Sequence, residues 1–184
     1  AVLVTSEDYG IDLEAEVLVI TDDVPMAVTP AQAATHIQLI GLLNDVSLRN
    51  LIPNELAKGF GFVQSKPRSA LSPVFVTPDE LGAAWRDSKV HLPLLSHIND
   101  VWFGAPETGN DMQFSFAELV AHVAKTRPLG AGTRQQGFQP RPIRCRIFGA
   151  EELDRAGVAQ HPHPPALDVG KTSLFRVRTA RPLV

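Results

Sequence analysis

The chain has 184 residues, of which 44% are hydrophobic and 20% are charged, a composition typical of one globular domain. No apolar run is long enough to span a bilayer, which argues against a membrane protein. The single cysteine, Cys145, excludes an internal disulfide, and it has no Cys or His partners at zinc spacing. We therefore predict a protein of a reducing, cytoplasmic compartment.

The net charge of −3 is divided unevenly along the chain. Residues 1–133 hold 16 acids and 8 bases, whereas residues 134–184 hold 4 acids and 9 bases together with a run of prolines. The second part has no clean helical or strand period, so we predict a catalytic domain over 1–133 and an atypical, poorly ordered tail over 134–184. A basic tail for nucleic acid is one interpretation of this break.

In chain order, the apolar patterns predict a short strand at residues 2–5 and a longer one at 11–21. Thr29 and Pro30 are typical of a helix start, and we predict a helix from there to about residue 39 with Ala33, Ile37 and Ile40 on one face. The apolar residues 39–47 then predict a strand with Asp45 near its end.

Residues 49–61 are predicted to be irregular, with a turn at Pro53-Asn54. Alternation predicts strand-like pieces at 60–66 and 71–76, and residues 78–85 predict a short helical turn. A hairpin is expected from 90–97 and 101–103 around Asn99-Asp100.

Residues 116–125 predict an amphipathic helix capped by Ser115, with Leu119, Val120 and Val123 facing inward.

Two acids stand out on the second predicted strand. Glu14 and Glu16 are two residues apart, so in a strand both carboxylates point to one side, next to the apolar run 17–20. Neighbouring carboxylates at a core edge repel each other unless a cation lies between them, which a hard divalent ion can provide. The alternative is a solvated edge strand with two acids on its wet face.

Three further residues could join such a site. Asp45 emerges at a strand end, Arg49 follows it by four residues, and Lys66 lies between two strand-like pieces. Together with the two glutamates they would supply three anionic ligands for a cation and two positive charges for an anionic substrate. Each also has a structural alternative: a turn cap for Asp45, an ion pair with a surface acid for Arg49, and a solvated side chain for Lys66.

Four segments of the chain together resemble the fumarylacetoacetate hydrolase family, most closely its bacterial fumarylacetoacetase-like branch, and the first three of them hold the five candidate site residues. In order, the segments are GIDLEAEVLVITDDVP, LIGLLNDVSLRNL, GFGFVQSKPRSALSPVFVTPDELG and LVAHVAKTRPLGAGT. The resemblance covers roughly residues 9–133. It implies a β-rich α+β fold with a mixed β-roll, incomplete here at both ends, and a homodimer with no nucleic-acid or membrane partner.

The resemblance also implies the chemistry. Glu14, Glu16 and Asp45 match the family's metal ligands, for Mg²⁺ or Ca²⁺, while Lys66 and Arg49 match its active-site lysine and arginine. The implied reaction is hydrolysis of a C–C bond in a 1,3-diketo acid, giving fumarate and acetoacetate in tyrosine degradation. Keto-acid decarboxylation, hydration or isomerisation, and a non-catalytic remnant, remain alternatives.

Two departures from the family accompany this match. The family's histidine base lies before the Glu-x-Glu strand, and no histidine precedes Glu14 here. The resemblance also stops at Thr133, where the family continues with a glycine-rich segment. A frameshift near codon 133 is one hypothesis for this break, and the coding DNA tests it.

Overall fold

Two long antiparallel strands, β1 (Ile11–Thr21) and β2 (Ile37–Leu48), form the centre of the molecule. The computed structural model describes residues 6–98 and 101–136. The ladder runs from Ile11 opposite Leu48 to Thr21 opposite Ile37. Most residues of both strands are buried, which is why both segments are mainly apolar rather than strictly alternating. The strands predicted at residues 11–21 and 39–47 are therefore confirmed.

Short strands complete three small antiparallel sheets. The main sheet has the order β3-β2-β1-β8, where β3 is Ala70–Leu71 and β8 is Arg134–Gln136. The other two sheets pair β4 (Trp85–Arg86) with β5 (Lys89–Val90), and β6 (Ser96–Ile98) with β7 (Val101–Gly104). With three short helices around them, these sheets confirm the predicted β-rich α+β class.

The first helix is shorter than its sequence pattern suggested. Helix α1 (Pro30–Ala34) begins as predicted, with Thr29 in a capping box with Gln32, but it ends five residues before the predicted limit. The ladder register shifts between Ile20 and Thr21, so that Ile37 and Ile40 both reach the apolar core from strand β2. This irregularity reproduces a helical spacing within a strand, which explains the wrong prediction.

A second helix, α2 (Ile52–Lys58), replaces the predicted irregular segment. Its Pro53 lies in the first turn, where a missing N–H costs nothing, and Gly59 follows its last residue at a φ of 73°. Proline near the start and glycine after the end are the signals of a short helix. The prediction of a turn at Pro53-Asn54 was wrong because it did not use this pair.

Residues 59–76 contain less strand than predicted. The predicted strand at 60–66 is absent from the described structure, and the one at 71–76 reduces to Ala70–Leu71 and a single bridge from Val76 to Ile40. Gly59 and Gly61 have positive φ values, and Phe60 and Val63 are exposed at 95% and 75%. Apolar alternation therefore occurs here without a core for it to face.

Helix α3 (Phe116–Val123) closes the apolar core. Ser115 caps it in a capping box with Glu118, as predicted, and its buried stripe is Phe116, Val120 and Ala124. Val123 is exposed, so the prediction that it faces inward was wrong, and Leu119 is only partly buried. The Phe116 ring stacks on Trp85, with centroids 6.3 Å apart.

The remaining sequence predictions have mixed outcomes. The helical turn predicted at 78–85 is confirmed as a 3₁₀ helix, Asp79–Ala84. The hairpin is confirmed in the pairing of β6 with β7, but its first strand begins at Ser96 and not at residue 90 as predicted, and its Asn99-Asp100 turn lies outside the described residues. The predicted strand at 2–5 and tail residues 137–184 also lie outside them.

Candidate metal centre

The carboxylates of Glu14, Glu16 and Asp45 meet on one face of the β1–β2 pair. Glu14 lies directly opposite Asp45 in the ladder, and Glu16 is the next residue along β1 on the same face. One carboxylate oxygen from each lies within 4.8 Å of the others, and all three side chains are buried. The interpretation of Glu14 and Glu16 as acids on a wet edge is therefore wrong.

Lys66 reaches this carboxylate cluster from the loop that follows α2. Its ammonium lies 3.0 Å from Glu14 Oε2 and 2.9 Å from Asp45 Oδ2, and it donates to Ser47 Oγ at 2.6 Å. Burial lowers the pKa of Lys66, but the hydrogen bonds to Asp45 and Glu14 more than offset that effect and leave the pKa above its usual value. Lys66 is thus a charged partner of the cluster, not a solvated lysine.

Arg49 contacts the other side of Glu14. Its Nε donates to Asp12 Oδ2 at 2.7 Å, and its Nη2 donates to Glu14 Oε1. Burial lowers the pKa of the guanidinium, but the hydrogen bond to Asp12 and the charge of Glu14 raise it further than burial lowers it. Arg49 therefore pairs with buried acids rather than with a surface acid.

Glu16 is the member of the cluster that lacks a cation. Its Oε2 has no hydrogen-bond partner within residues 6–98 and 101–136, and the side chain is only 4% exposed. Burial, followed by the charges of Asp45 and Glu14, raises the pKa of Glu16 from 4.5 to about 8. Glu16 is therefore held mainly in its neutral form at pH 7, because the charge of Lys66 lowers its pKa by less than burial and the two neighbouring carboxylates raise it.

The charges of the cluster match a divalent cation. Four buried carboxylates (Asp12, Glu14, Glu16 and Asp45) face two cations (Arg49 and Lys66), which leaves a formal charge of −2 when Glu16 is ionised. Carboxylate oxygens are the ligands that Mg²⁺ and Ca²⁺ prefer, and an unpartnered buried oxygen is available on Glu16. The residues present thus fit a hard divalent cation.

Sequence reasoning missed four residues of this centre. Asp12 anchors Arg49, and Ser47 donates to Glu14 Oε2 at 3.1 Å; both occur at i−2 or i+2 from a predicted ligand, so strand periodicity could have found them. Ser69 donates to Asp45 Oδ1 at 3.1 Å, and Gln136 donates to Asp45 Oδ2 at 2.9 Å. Only the tertiary structure brings these last two to Asp45.

Gln136 belongs to the segment where the sequence resemblance had stopped. It lies in β8, which pairs with β1 through Leu18, Val19 and Ile20. The part of the chain after Thr133 therefore contributes a strand of the central sheet and one hydrogen bond to a predicted metal ligand. The described structure extends the ordered sheet three residues past the predicted boundary.

A comparison with protein families decides which fold family this is. The family model described as fumarylacetoacetate (FAA) hydrolase C-terminal matches residues 1–133 of this chain. The chain belongs to this family. No curated protein matches the chain, so its family membership rests on this match over residues 1–133.

Solved structures of the fumarylacetoacetate hydrolase family have the same fold. A candidate fumarylacetoacetate hydrolase family protein from Yersinia pestis has a TM-score of 0.62 and 20% identity, with 77% of this chain and 67% of that one covered. Fumarylacetoacetate hydrolase from Exiguobacterium antarcticum has a TM-score of 0.58 and 21% identity over 72% of this chain and 45% of that one.

The similar structures also include an isomerase. The 5-carboxymethyl-2-hydroxymuconate delta-isomerase from Mycobacterium smegmatis has a TM-score of 0.54 and 20% identity over 72% of this chain and 50% of that one. The chain thus spans about half the length of two of these three proteins. Proteins with this fold therefore include both hydrolases and isomerases, and the fold alone does not choose between them.

None of the helices within residues 6–98 and 101–136 has the length and apolar character needed to cross a membrane.

Proposed function

We propose that this chain is a metal-dependent hydrolase that cleaves a C–C bond in a 1,3-diketo acid, with fumarylacetoacetate as the first substrate to test. One observation supports it most directly: three buried carboxylates, from Glu14, Glu16 and Asp45, converge within 4.8 Å beside Lys66. We propose Mg²⁺ or Ca²⁺ as the ion, because all three ligands are carboxylates. The chemistry that such an ion supplies when bound is Lewis-acid polarisation of carbonyl oxygens.

The roles of the protein's own residues follow from their contacts. Lys66 holds Glu14 and Asp45 at fixed positions and keeps a positive charge where an anionic substrate would develop negative charge on an oxygen. Arg49 bridges Asp12 and Glu14, so it orients the Glu14 carboxylate from the opposite side. We propose Lys66 as the positive charge that stabilises the substrate's oxyanion and Arg49 as the group that orients Glu14.

No histidine of residues 6–98 and 101–136 forms a hydrogen bond with the carboxylate cluster. His36 contacts Asp22 at 2.7 Å, and His97 packs edge-on against Trp102, both away from the cluster. Loss of a general base costs about 10²–10⁴ in rate. We therefore expect turnover by the chain itself to be slow, even with the metal ligands in place.

Two measurements on the full chain test this function. Isothermal titration calorimetry with Mg²⁺ and with Ca²⁺ measures ion binding, and loss of fumarylacetoacetate absorbance measures cleavage. We expect saturable ion binding and ion-dependent cleavage that Glu14→Ala abolishes. Ion binding without cleavage would support a non-catalytic remnant, and conversion of a hydroxymuconate substrate without cleavage would support an isomerase.

We also propose that residues 1–133 form the catalytic domain, that the protein acts in the cytoplasm, and that it forms homodimers. Support for the dimer comes from the family resemblance and from exposed apolar side chains such as Phe60 and Val63. Light scattering after size-exclusion chromatography gives the mass in solution, and a monomer at micromolar concentration would contradict the dimer.

A further inference from the structure

Glu55, on helix α2, holds the loop that leads to Lys66. Its Oε1 accepts a hydrogen bond from the backbone N–H of Gln64 at 2.7 Å. Its Oε2 accepts from the N–H groups of Val63 at 3.1 Å and Ser65 at 3.2 Å, and from the Ser65 hydroxyl. One carboxylate thus binds three successive residues immediately before Lys66.

The rest of this loop has few other constraints. Gly59 and Gly61 adopt positive φ values, and Phe60, Phe62 and Val63 are exposed instead of packed in the core. Such a segment opens easily when few buried contacts hold it. The Glu55 carboxylate is therefore the main connection between residues 63–65 and a regular element of the fold.

Ser65 connects the Glu55 contacts to Lys66, the next residue in the chain. The residue is fully buried, its N–H and hydroxyl are bound to Glu55, and its carbonyl accepts from the N–H of Leu48 at the end of β2 at 2.8 Å. Lys66 follows directly, with its ammonium on Glu14, Asp45 and Ser47. A lysine side chain has high rotamer entropy, so a fixed backbone is needed to keep it in one place.

We propose that Glu55 is a positioning residue that fixes Lys66 at the metal centre by clamping the backbone of residues 63–65. Four hydrogen bonds to the ionised form also lower the pKa of Glu55 to about 2, with the Ser65 hydroxyl as the largest cause, so the clamp is fully charged at neutral pH. The catalytic meaning of the clamp rests on the proposed function, whereas its effect on Lys66 does not.

The first test therefore requires no turnover. Acylation of lysines by an N-hydroxysuccinimide ester, followed residue by residue with mass spectrometry, reports how freely each ammonium moves. We expect Lys66 of the native full chain to react more slowly than Lys58, and Glu55→Ala to raise the Lys66 rate about tenfold, the scale of a lost charge-assisted hydrogen bond, with Lys58 unchanged. Glu80→Ala, which removes an exposed acid of the 3₁₀ helix, is the matched control and should change neither rate.

Graded variants separate positioning from general loss of stability. Ser65→Ala removes one of the four bonds and should raise the Lys66 rate less than Glu55→Ala does. Glu55→Gln keeps the shape of the side chain but loses its charge. It replaces Glu55→Ala in this test if thermal melting shows that Glu55→Ala does not fold. A folded Glu55 variant whose Lys66 rate and 63–65 amide exchange both equal those of the native chain would overturn the proposal.

A second arm applies once cleavage is measured. Glu55→Ala and Lys66→Ala should each slow the reaction, and the double variant should be no slower than Lys66→Ala, because Glu55 acts through Lys66. Losses that multiply would show that Glu55 acts independently of Lys66. If no variant and no native protein cleaves the substrate, the proposed function fails while the acylation result stands.

Discussion

The two halves of the metal centre are held in different ways. The acids come from β1 and β2, where an eleven-pair ladder sets Glu14 opposite Asp45 and leaves little freedom in their spacing. The positive charge of Lys66 comes from a loop without a strand of its own, held by the Glu55 carboxylate and by one backbone bond from Leu48. The acids are thus fixed by the sheet, whereas Lys66 depends mainly on side-chain contacts to its loop.

The sheet and the Lys66 loop differ in how easily each can move. The ladder bonds of β1 and β2 break only when the sheet opens, so the ligand spacing should persist without an ion. The loop can move at the cost of a few hydrogen bonds, so Lys66 is the part of the centre that can shift when an ion arrives.

Removal of a ladder carboxylate should have the largest effect. Glu14→Ala deletes a proposed ligand and also leaves Arg49 and Lys66 with one partner fewer, and loss of one member of a buried ion pair costs about 3–5 kcal/mol. We expect Mg²⁺ binding to vanish in calorimetry, with a lower melting temperature. Mg²⁺ affinity equal to that of Glu80→Ala would rule Glu14 out as a ligand.

Loss of the positive charge of Lys66 should have a smaller effect on stability, which added Mg²⁺ should reverse. Lys66→Met keeps the length of the side chain but leaves Glu14 and Asp45 without their shared partner, and we expect a loss of about 3 kcal/mol in unfolding free energy. Added Mg²⁺ should restore more stability to Lys66→Met than to the native chain, because the ion replaces the missing charge. Urea unfolding with and without Mg²⁺ measures this, and equal restoration in both proteins would contradict it.

The stability of the ion-free chain and its affinity for Mg²⁺ should depend on pH in opposite directions. Without an ion, the raised pKa of Glu16 means that the folded chain binds more protons than the unfolded chain between pH 4.5 and about 8, so this group makes stability fall as pH rises through that window. Ion binding requires the ionised form, so Mg²⁺ affinity should rise about tenfold per pH unit between pH 6 and 8.

Glu16→Gln is the matched variant for this pair of trends. Its amide does not titrate, so stability and Mg²⁺ affinity should both depend less on pH. Calorimetry in buffers of different ionisation enthalpy should show that Mg²⁺ binding releases about one proton fewer than in the native chain. Proton release that survives in Glu16→Gln would assign the titration to another group.

The smallest effect is expected at the edge of the sheet. Gln136→Ala removes one hydrogen bond to Asp45 Oδ2, which still has Lys66, so the cost should be about 1 kcal/mol and the change in Mg²⁺ affinity only a few-fold. Gln135→Ala, the neighbour whose side chain does not contact Asp45, is the control. Equal affinities for the two variants would remove Gln136 from the centre.

Much of the centre could be predicted from local pattern. The i, i+2 spacing of Glu14 and Glu16 fixes a shared face in any strand, and the apolar residues that follow Glu16 require that strand to be buried at one end. The same reasoning failed for Ile37 and Ile40, because a register shift in β2 imitates a helical period. It also failed at residues 60–66, where alternation occurs without a core surface to cover it.

The sequence by itself determined the groups of the candidate centre: acids on two apolar strands that could bind a cation, with a lysine and an arginine in family order beside them. Only the tertiary structure decided that they meet. Glu14 and Asp45 are 31 residues apart in the chain, and their pairing depends on the register of β1 against β2. It also decided that Gln136 reaches Asp45 and that Glu55 binds the loop before Lys66. Their contacts depend on where a loop and an edge strand return to the sheet, which no local spacing encodes.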